Sequence, residues 1–326
     1  MLILDLTSQD RIDFIGDIHG HHAVLETALD RLGYQNLSGI WRHPQGVKAV
    51  FLGDLIDRGP ANIAVVETVK AMVEAGEAIC LMGNHELNAI HFSTPDPSNE
   101  GAYLRARSDK NLRQHIAFLS EYHRDPKKAG LLQEHIAWFK TLPLWIDHDE
   151  FRAVHACWSP KHLERFSASE RDGGDRSKQF WLRTARAGDR HKDAVEVLLK
   201  GAEYKLPPGV SYRDKDGNER TVARLQWWGE QQDWRSTVWA WEEVYQELEQ
   251  HKFDAQRGRF DDNDERPVFF GHYWVPPRRG QPWIVAPPKA VCLDFCAGSG
   301  GPLCVYRWSA ADLGLDAANQ LLFRNI

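Results

Sequence analysis

The chain has 326 residues, with 40 lysines and arginines against 46 acidic residues and a net charge of −6, an acidic balance that argues against a protein held on nucleic-acid backbone. Hydrophobic residues make up 42% and charged residues 26%, a composition that excludes wholesale disorder. No apolar run reaches the ~18 residues of a membrane span, and the five cysteines, odd in number and without a CxxC pair, exclude a disulfide framework or a thiolate zinc site.

The first 14 residues carry Asp5, Asp10 and Asp13 and do not read as a signal peptide, so a reduced, cytoplasmic setting is expected. A strand is predicted at 12–15, running into Gly16-Asp17-Ile18-His19-Gly20. Val24, Leu25, Ala28, Leu29 and Leu32 then share one helical face, closed by Gly33. A second strand at 47–52 ends in Gly53-Asp54-Leu55-Ile56-Asp57-Arg58-Gly59, with Pro60 expected at the first position of the next helix and Gly76 at its C-terminal end. A third, at 78–82, ends in Gly83-Asn84-His85-Glu86. This alternation implies an α/β fold with a largely parallel sheet, in which loops at the carboxyl ends of strands carry the chemistry.

After a polar loop from residue 93, helices are expected near 112–122 and 131–141, then a hairpin of 144–147 and 151–156. The middle section offers a helix near 193–200, a turn at Asp216-Gly217 and a Trp-rich amphipathic stretch over 234–250. Gly217 is fourth in its Asp-rich run, not sixth, so that run reads as a β-turn and not a calcium loop. The acidic run 261–265 reads as a solvated loop. A strand at 267–271 follows, and 290–295 and 303–308 are expected to pair around Gly298-Ser299-Gly300-Gly301.

Asp17, His19, Asp54, Asp57, Arg58, Asn84, His85, His155 and His272 all stand at strand ends, and they converge if the strands are neighbours. Carboxylate oxygens and imidazole nitrogens without thiolate suit divalent Mn, Fe, Zn or Co. Two such cations held by a bridging carboxylate form a clamp for displacement at phosphorus. Asp17 and His19 are two apart, so an extended segment points both to one side. The remaining histidines read as core or solvent residues.

Five ordered motifs carry a resemblance: Gly16-Asp17-Ile18-His19-Gly20, the segment from Gly53 to Gly59, Gly83-Asn84-His85-Glu86, Val154-His155-Ala156 and Gly271-His272-Tyr273. Together they resemble the calcineurin-like metallophosphoesterases, and Asp57-Arg58-Gly59 is similar to the phosphoprotein phosphatase branch of bacterial type. The resemblance implies a layered α/β/β/α sandwich in one domain over 1–326, with a helical, Trp-rich insertion at 156–266. It implies metal ligands Asp17, His19, Asp54, Asn84, His155 and His272, with Asp54 bridging, and two divalent ions, manganese foremost. It implies a dyad in which Asp57 orients His85, and phosphate held by Arg58. The branch also has a second phosphate arginine, for which Arg183, Arg224 and Arg235 are candidates. Wider relatives end in Gly-His-x-His, whereas this chain has Trp274 where the second histidine would stand.

The expected reaction is hydrolysis of a phosphate monoester, on a phosphoprotein or a small molecule, by in-line attack of a metal-bound hydroxide. His85 would protonate the leaving oxygen. The alternative is a symmetrical dinucleoside polyphosphate hydrolase using the same core. No membrane partner is expected. Seven of the 13 tryptophans fall between 156 and 270, where the resemblance explains least. They read as packing for the insertion, with nucleobase stacking as the alternative, and the insertion is expected to shape substrate choice.

Overall fold

Alternation along Arg11–Ile15 divides its side chains between two layers. Phe14 points to a second sheet, where its ring stacks on Phe269 at 3.8 Å. Asp13 points the other way and is fully buried. The cross-strand neighbour of Asp13 is Arg307, which closes on it with two 2.8 Å hydrogen bonds. Arg307 also donates to the Leu32 carbonyl at the end of the helix His22–Leu32. One ion pair therefore ties a central strand to its neighbour and to the helix layer.

The computed structural model describes residues 11–324 apart from 125, 174–175, 214–216, 218, 230, 255–263, 276–288 and 313. The acidic start, most of the 214–218 turn and the 261–263 part of the acidic run lie outside the described residues. The first sheet has the order Gln320–Phe323, Leu303–Ser309, Arg11–Ile15, Lys48–Phe51, Ala78–Cys80. Its last three strands run parallel and the first two antiparallel. The second sheet has the order Ala290–Cys292, Val268–Phe270, Arg152–Val154, Trp145–Asp147, parallel except at the final hairpin. Phe14, Phe151, Phe269 and Tyr306 fill the space between the sheets. Helices lie outside, giving an α/β sandwich, and among the described residues none is long and apolar enough to cross a membrane.

Three expectations change. Pro60 stands ahead of the helix Asn62–Glu74, whose N-cap is Ala61. The exposed donors of that helix are satisfied instead by Glu121 of another helix, which accepts from the backbone of Asn62 and Ile63 at 2.6 and 3.0 Å. Residues 290–295 and 303–308 do not pair with each other. Ala290–Cys292 joins the second sheet and Leu303–Ser309 the first, because the turn between them crosses from one sheet to the other, with Cys296 at φ 64° and Gly300 at φ 84°. The amphipathic stretch expected over 234–250 is not continuous. Val238–Trp239 pairs with Val222–Leu225 and separates the helices Trp234–Thr237 and Glu242–Leu248.

Within the middle section, Glu203–Lys205, Val222–Leu225 and Val238–Trp239 form a small antiparallel sheet. Trp227 and Trp228 pack inward, whereas Trp241 is exposed. Trp227 Nε1 donates to the Ala156 carbonyl at 2.9 Å, and the Trp228 ring lies 4.8 Å from Tyr273 and 5.0 Å from Phe270. Buried apolar residues of both sheets and of this section form one cluster.

Removing Arg307 would strand the buried Asp13 carboxylate. Arg307→Leu is expected to lower the unfolding free energy by about 3 kcal/mol, read from urea denaturation; a change under ~1 kcal/mol would show that Asp13 is not held by this pair.

Candidate metal centre and active site

Six strands deliver the site, three from each sheet. The chain leaves their carboxyl ends at Asp17, Asp54, Asn84, His155, His272 and Asp294. All six residues are buried. The backbone there is bent into unusual conformations: His19, Asp54, Asp57, Arg58, His272 and Trp274 have φ of 48°, 52°, 74°, 71°, 66° and 52°. Left-handed conformations cost a non-glycine residue about 1–3 kcal/mol each and persist only where the surroundings impose them. Glycines supply the close approach. A Cβ on Gly83 would lie 2.3 Å from Asp54 Oδ1, and one on Gly271 would lie 2.1 Å from Asp17 Oδ1.

Asp54 is the common member of two donor groups. His19, Asp54 and His85 bring ligand atoms within 4.8 Å of one another, as do Asp54, His155 and His272. His155 Nε2 stands 3.4 Å from Asp54 Oδ1 and His19 Nε2 3.7 Å from Oδ2. The other ring nitrogens are occupied: His19 Nδ1 donates to the Ile56 carbonyl at 2.9 Å and His155 Nδ1 to Leu52 at 2.7 Å. That fixes the tautomers and turns each Nε2 lone pair towards Asp54. Asn84 Oδ1 lies 3.2 Å from His155 Nε2. Asp17 accepts the His272 backbone N–H at 3.2 Å.

The electrostatics describe a cluster short of positive charge. Burial, then Asp294 and Asp54, push the Asp17 carboxyl well above its usual range. Burial pushes Asp54 the same way, but His155, His85 and His19 outweigh it and hold that carboxyl well below the usual range. Burial keeps the His19 and His272 imidazoles neutral, well below their ordinary values. Both present a buried Nε2 with no hydrogen-bond partner among the described residues. Neutral imidazoles aimed at a shared carboxylate, with no donor to satisfy them, fit divalent cations.

Beside this cluster, His85 Nδ1 meets Asp57 Oδ2 at 2.5 Å. His85 Nε2 faces the cluster, 3.9 Å from Asp54 Oδ2. Burial lowers the His85 proton affinity, but Asp54 and Asp57 overcome it and raise the net value. Burial raises the Asp57 carboxyl, yet the two imidazoles beside it bring it down to about 2. The Arg58 guanidinium sits 4.5 Å above the Trp274 ring, with one buried nitrogen lacking a hydrogen-bond partner among the described residues.

The candidate arginines separate. Arg183 pairs with Asp189 at 3.4 Å, and Arg235 bridges Glu242 and Glu249 at 2.8 and 2.7 Å. Neither joins the cluster, because local carboxylates of the middle section take both. Arg224 does reach it and donates to the His272 carbonyl at 3.0 Å.

Sequence reasoning missed three residues. Glu86 is fully buried and collects three backbone donors, Asp54 and Leu55 at 2.9 Å and Gly83 at 3.0 Å, so it shapes the loop that carries Asp54. Burial and Asp54 push its carboxyl up to about 7. Asp294 accepts the Trp274 N–H at 2.9 Å; its signal was a carboxylate following an apolar strand. His115, read as a core or solvent residue, is buried with Nδ1 2.9 Å from Asp57 Oδ2.

A family model described as calcineurin-like phosphoesterase matches residues 10–276. An asymmetrical bis(5'-nucleosyl)-tetraphosphatase PrpE of Geobacillus sp. (strain WCH70) is 47% identical over 75 residues, 23% of this chain and 31% of that protein. One of Bacillus cereus (strain B4264) is 38% identical over 208 residues, 62% of this chain and 77% of that protein. The chain thus spans about a third of the length of the first curated relatives it matches. A solved protein serine/threonine phosphatase from Saccharomyces cerevisiae, with similarity to human phosphatase PP5, aligns over 98% of this chain and 82% of its own, at 15% identity and a TM-score of 0.50. That likeness concerns the fold.

The raised Asp17 and Glu86 carboxyls give a signed expectation. A folded value above the unfolded one stabilises the metal-free fold at low pH, and the Glu86 contribution is lost as pH rises through about 7. The lowered His19 and His272 imidazoles act in the opposite sense only below their ordinary value of 6.5, so metal-free protein should lose thermal stability between about pH 6.5 and 8, and divalent cations should restore it, more at pH 8 than at pH 6.5 as protons vacate the carboxylates. Metal-free stability that rises over that window would contradict this reading.

Proposed function

The chain belongs to the calcineurin-like phosphoesterase family, and on that premise we propose that it is a two-metal phosphoesterase hydrolysing phosphate monoesters. The observation that carries the proposal is Asp54, shared by two imidazole groups and flanked by the His85–Asp57 pair. In this reading Asp17, His19 and Asp54 hold one cation, and Asp54, Asn84, His155 and His272 the other. Manganese is the first choice; iron, zinc or cobalt suit the same donors. When bound, the cations draw charge from the phosphoryl oxygens and acidify water enough for attack at neutral pH.

The residues of the chain do the rest. Arg58 grips the phosphoryl oxygens with its planar fork, its orientation kept by the Trp274 ring. Asp57 keeps the His85 proton on Nδ1, so Nε2 faces the leaving oxygen. With Nδ1 held by Asp57, Nε2 is the atom placed to pass a proton to the departing alkoxide, and Asp54 and Asp57 raise the proton affinity of the ring. Arg224, not Arg183 or Arg235, is the second phosphate arginine in this reading, because its guanidinium lies against His272. The 156–266 segment is part of the same domain and brings Arg224 to the site.

The curated relatives favour a second reading. Their name specifies bis(5'-nucleosyl) tetraphosphates and an asymmetrical cut, where the sequence suggested a symmetrical one. The same groups would serve, with a nucleotide as leaving group.

A substrate panel under manganese tests both readings. Aryl phosphate and phosphoserine should release inorganic phosphate, and exhaustive chelation should abolish this; full activity after chelation would sink the proposal. Diadenosine tetraphosphate cut to ATP and AMP faster than the monoesters would move the assignment to the second reading, and an uncleaved nucleotide would remove that reading.

Arg224→Ala should reduce kcat/KM by about tenfold or more, the weight of one charged phosphate contact. Arg235→Ala should stay within about twofold. The reverse ranking would restore Arg235 as the phosphate arginine.

A further inference from the structure

Asp57 has two imidazole neighbours, and the proposed mechanism uses one. His85 Nδ1 lies 2.5 Å from Oδ2, and His115 Nδ1 lies 2.9 Å from the same oxygen. His115 belongs to the helix Asp109–His123, on the buried face with Phe118, Leu119 and Tyr122. It is 1% exposed, and the Phe92 ring stands 5.5 Å away. Neither of its ring nitrogens has an aligned hydrogen-bond partner among the described residues. The 2.9 Å separation from Asp57 Oδ2 is a hydrogen-bond distance. A buried imidazole without a partner is costly, so Asp57 Oδ2 is the acceptor this site gives it.

The same helix holds the Asp57 loop at a second point. Glu121 accepts the Asn62 side-chain amide at 2.6 Å. Asn62 in turn accepts the Asp57 N–H at 2.6 Å and donates to the Gly59 carbonyl at 2.8 Å. The backbone of Asp57 is thus fixed through Glu121. The carboxylate is not fixed by the backbone alone, since Oδ1 has no hydrogen-bond partner. Without a second donor, the carboxylate could turn about its own bond and carry the His85 ring with it.

We propose that His115 is a positioning residue for proton transfer, pinning the same Oδ2 of Asp57 that His85 contacts so that His85 Nε2 stays aimed at the leaving oxygen. This rests on the His85–Asp57 reading above and deepens it. No contact of His115 with substrate is invoked. Its consequence is specific to leaving groups: loss of alignment matters where the departing oxygen needs a proton and little where it does not.

The test compares an alkyl phosphate with p-nitrophenyl phosphate under manganese, with metal content measured for each variant. His85→Asn and Asp57→Asn should lose turnover on the alkyl ester, by about a hundredfold, far more than on the aryl ester. His115→Phe should lose about tenfold in kcat on the alkyl ester and under threefold on the aryl ester, with KM unchanged and two metals per chain. His115→Gln, which keeps an N–H donor, should recover part of that loss. Combined with Asp57→Asn, His115→Phe should cost nothing further. Equal losses on both esters, or losses that add to those of Asp57→Asn, would overturn the inference while leaving the dyad standing. Dyad variants with no leaving-group dependence would overturn the dyad reading and this inference with it. Ring nitrogen-15 spectra of histidine-labelled wild-type protein give an arm independent of variant folding: His115 should carry its proton on Nδ1, and a bare Nδ1 would overturn the inference.

Discussion

The site depends on the burial of carboxylates at one wall of strand ends. Asp17, Asp54, Glu86 and Asp294 are each at most 2% exposed. An isolated buried carboxylate costs several kcal/mol unless hydrogen bonds or opposite charge compensate. The chain compensates unevenly. Glu86 collects three backbone donors and Asp294 two. Asp54 takes imidazoles, and Asp17 receives little beyond the His272 N–H. The uncompensated remainder lies where the imidazole and carboxylate atoms converge, an imbalance that the proposed cations would relieve. The left-handed residues around it follow from this, because the backbone must curl to present its donors and carboxylates together.

His272 shows how the rest of the molecule is drawn into that arrangement. Its N–H is given to Asp17 and its carbonyl is taken by Arg224. The next residue, Tyr273, donates its hydroxyl to the Leu225 carbonyl at 2.9 Å. The strand Val222–Leu225 therefore holds the backbone around this imidazole from outside the two main sheets. The middle section is attached at the residue where a shift of an ångström would matter most to the donor set.

The sequence made much of this legible for a physical reason. Strand ends that turn sharply beside ions need glycine and aspartate in fixed order, and such short-range constraints leave motifs: Asp17, Asp54, Asn84 and His85 were readable this way. What was not legible depends on tertiary approach. Arg224 and Arg235 look alike in sequence, and only the position of Glu242 and Glu249 removes Arg235. His115 carries the signal of any core histidine, three and four residues before Phe118 and Leu119; its meaning appears when its helix docks on Asp57. The pairing of the last strands failed for the opposite reason: a short Gly-rich connection suggests a hairpin, but a bend of the same length also crosses between sheets.

The tryptophans extend the same argument. Trp227 and Trp228 lie edge-on to each other and against Phe270, the last residue of the strand that precedes His272. Aromatic edges of this kind add packing energy and geometric definition beyond area alone. Trp274 works from the other side of His272, under Arg58. A histidine at that position would add a ligand; a tryptophan adds a platform instead, with its backbone N–H held by Asp294. The sequence departs from the Gly-His-x-His ending by one residue, and in the proposed reading that residue supports Arg58 in place of adding a ligand. The aromatic surplus is therefore structural in most of its members, and it steadies two groups of the candidate site, the His272 backbone and the Arg58 guanidinium.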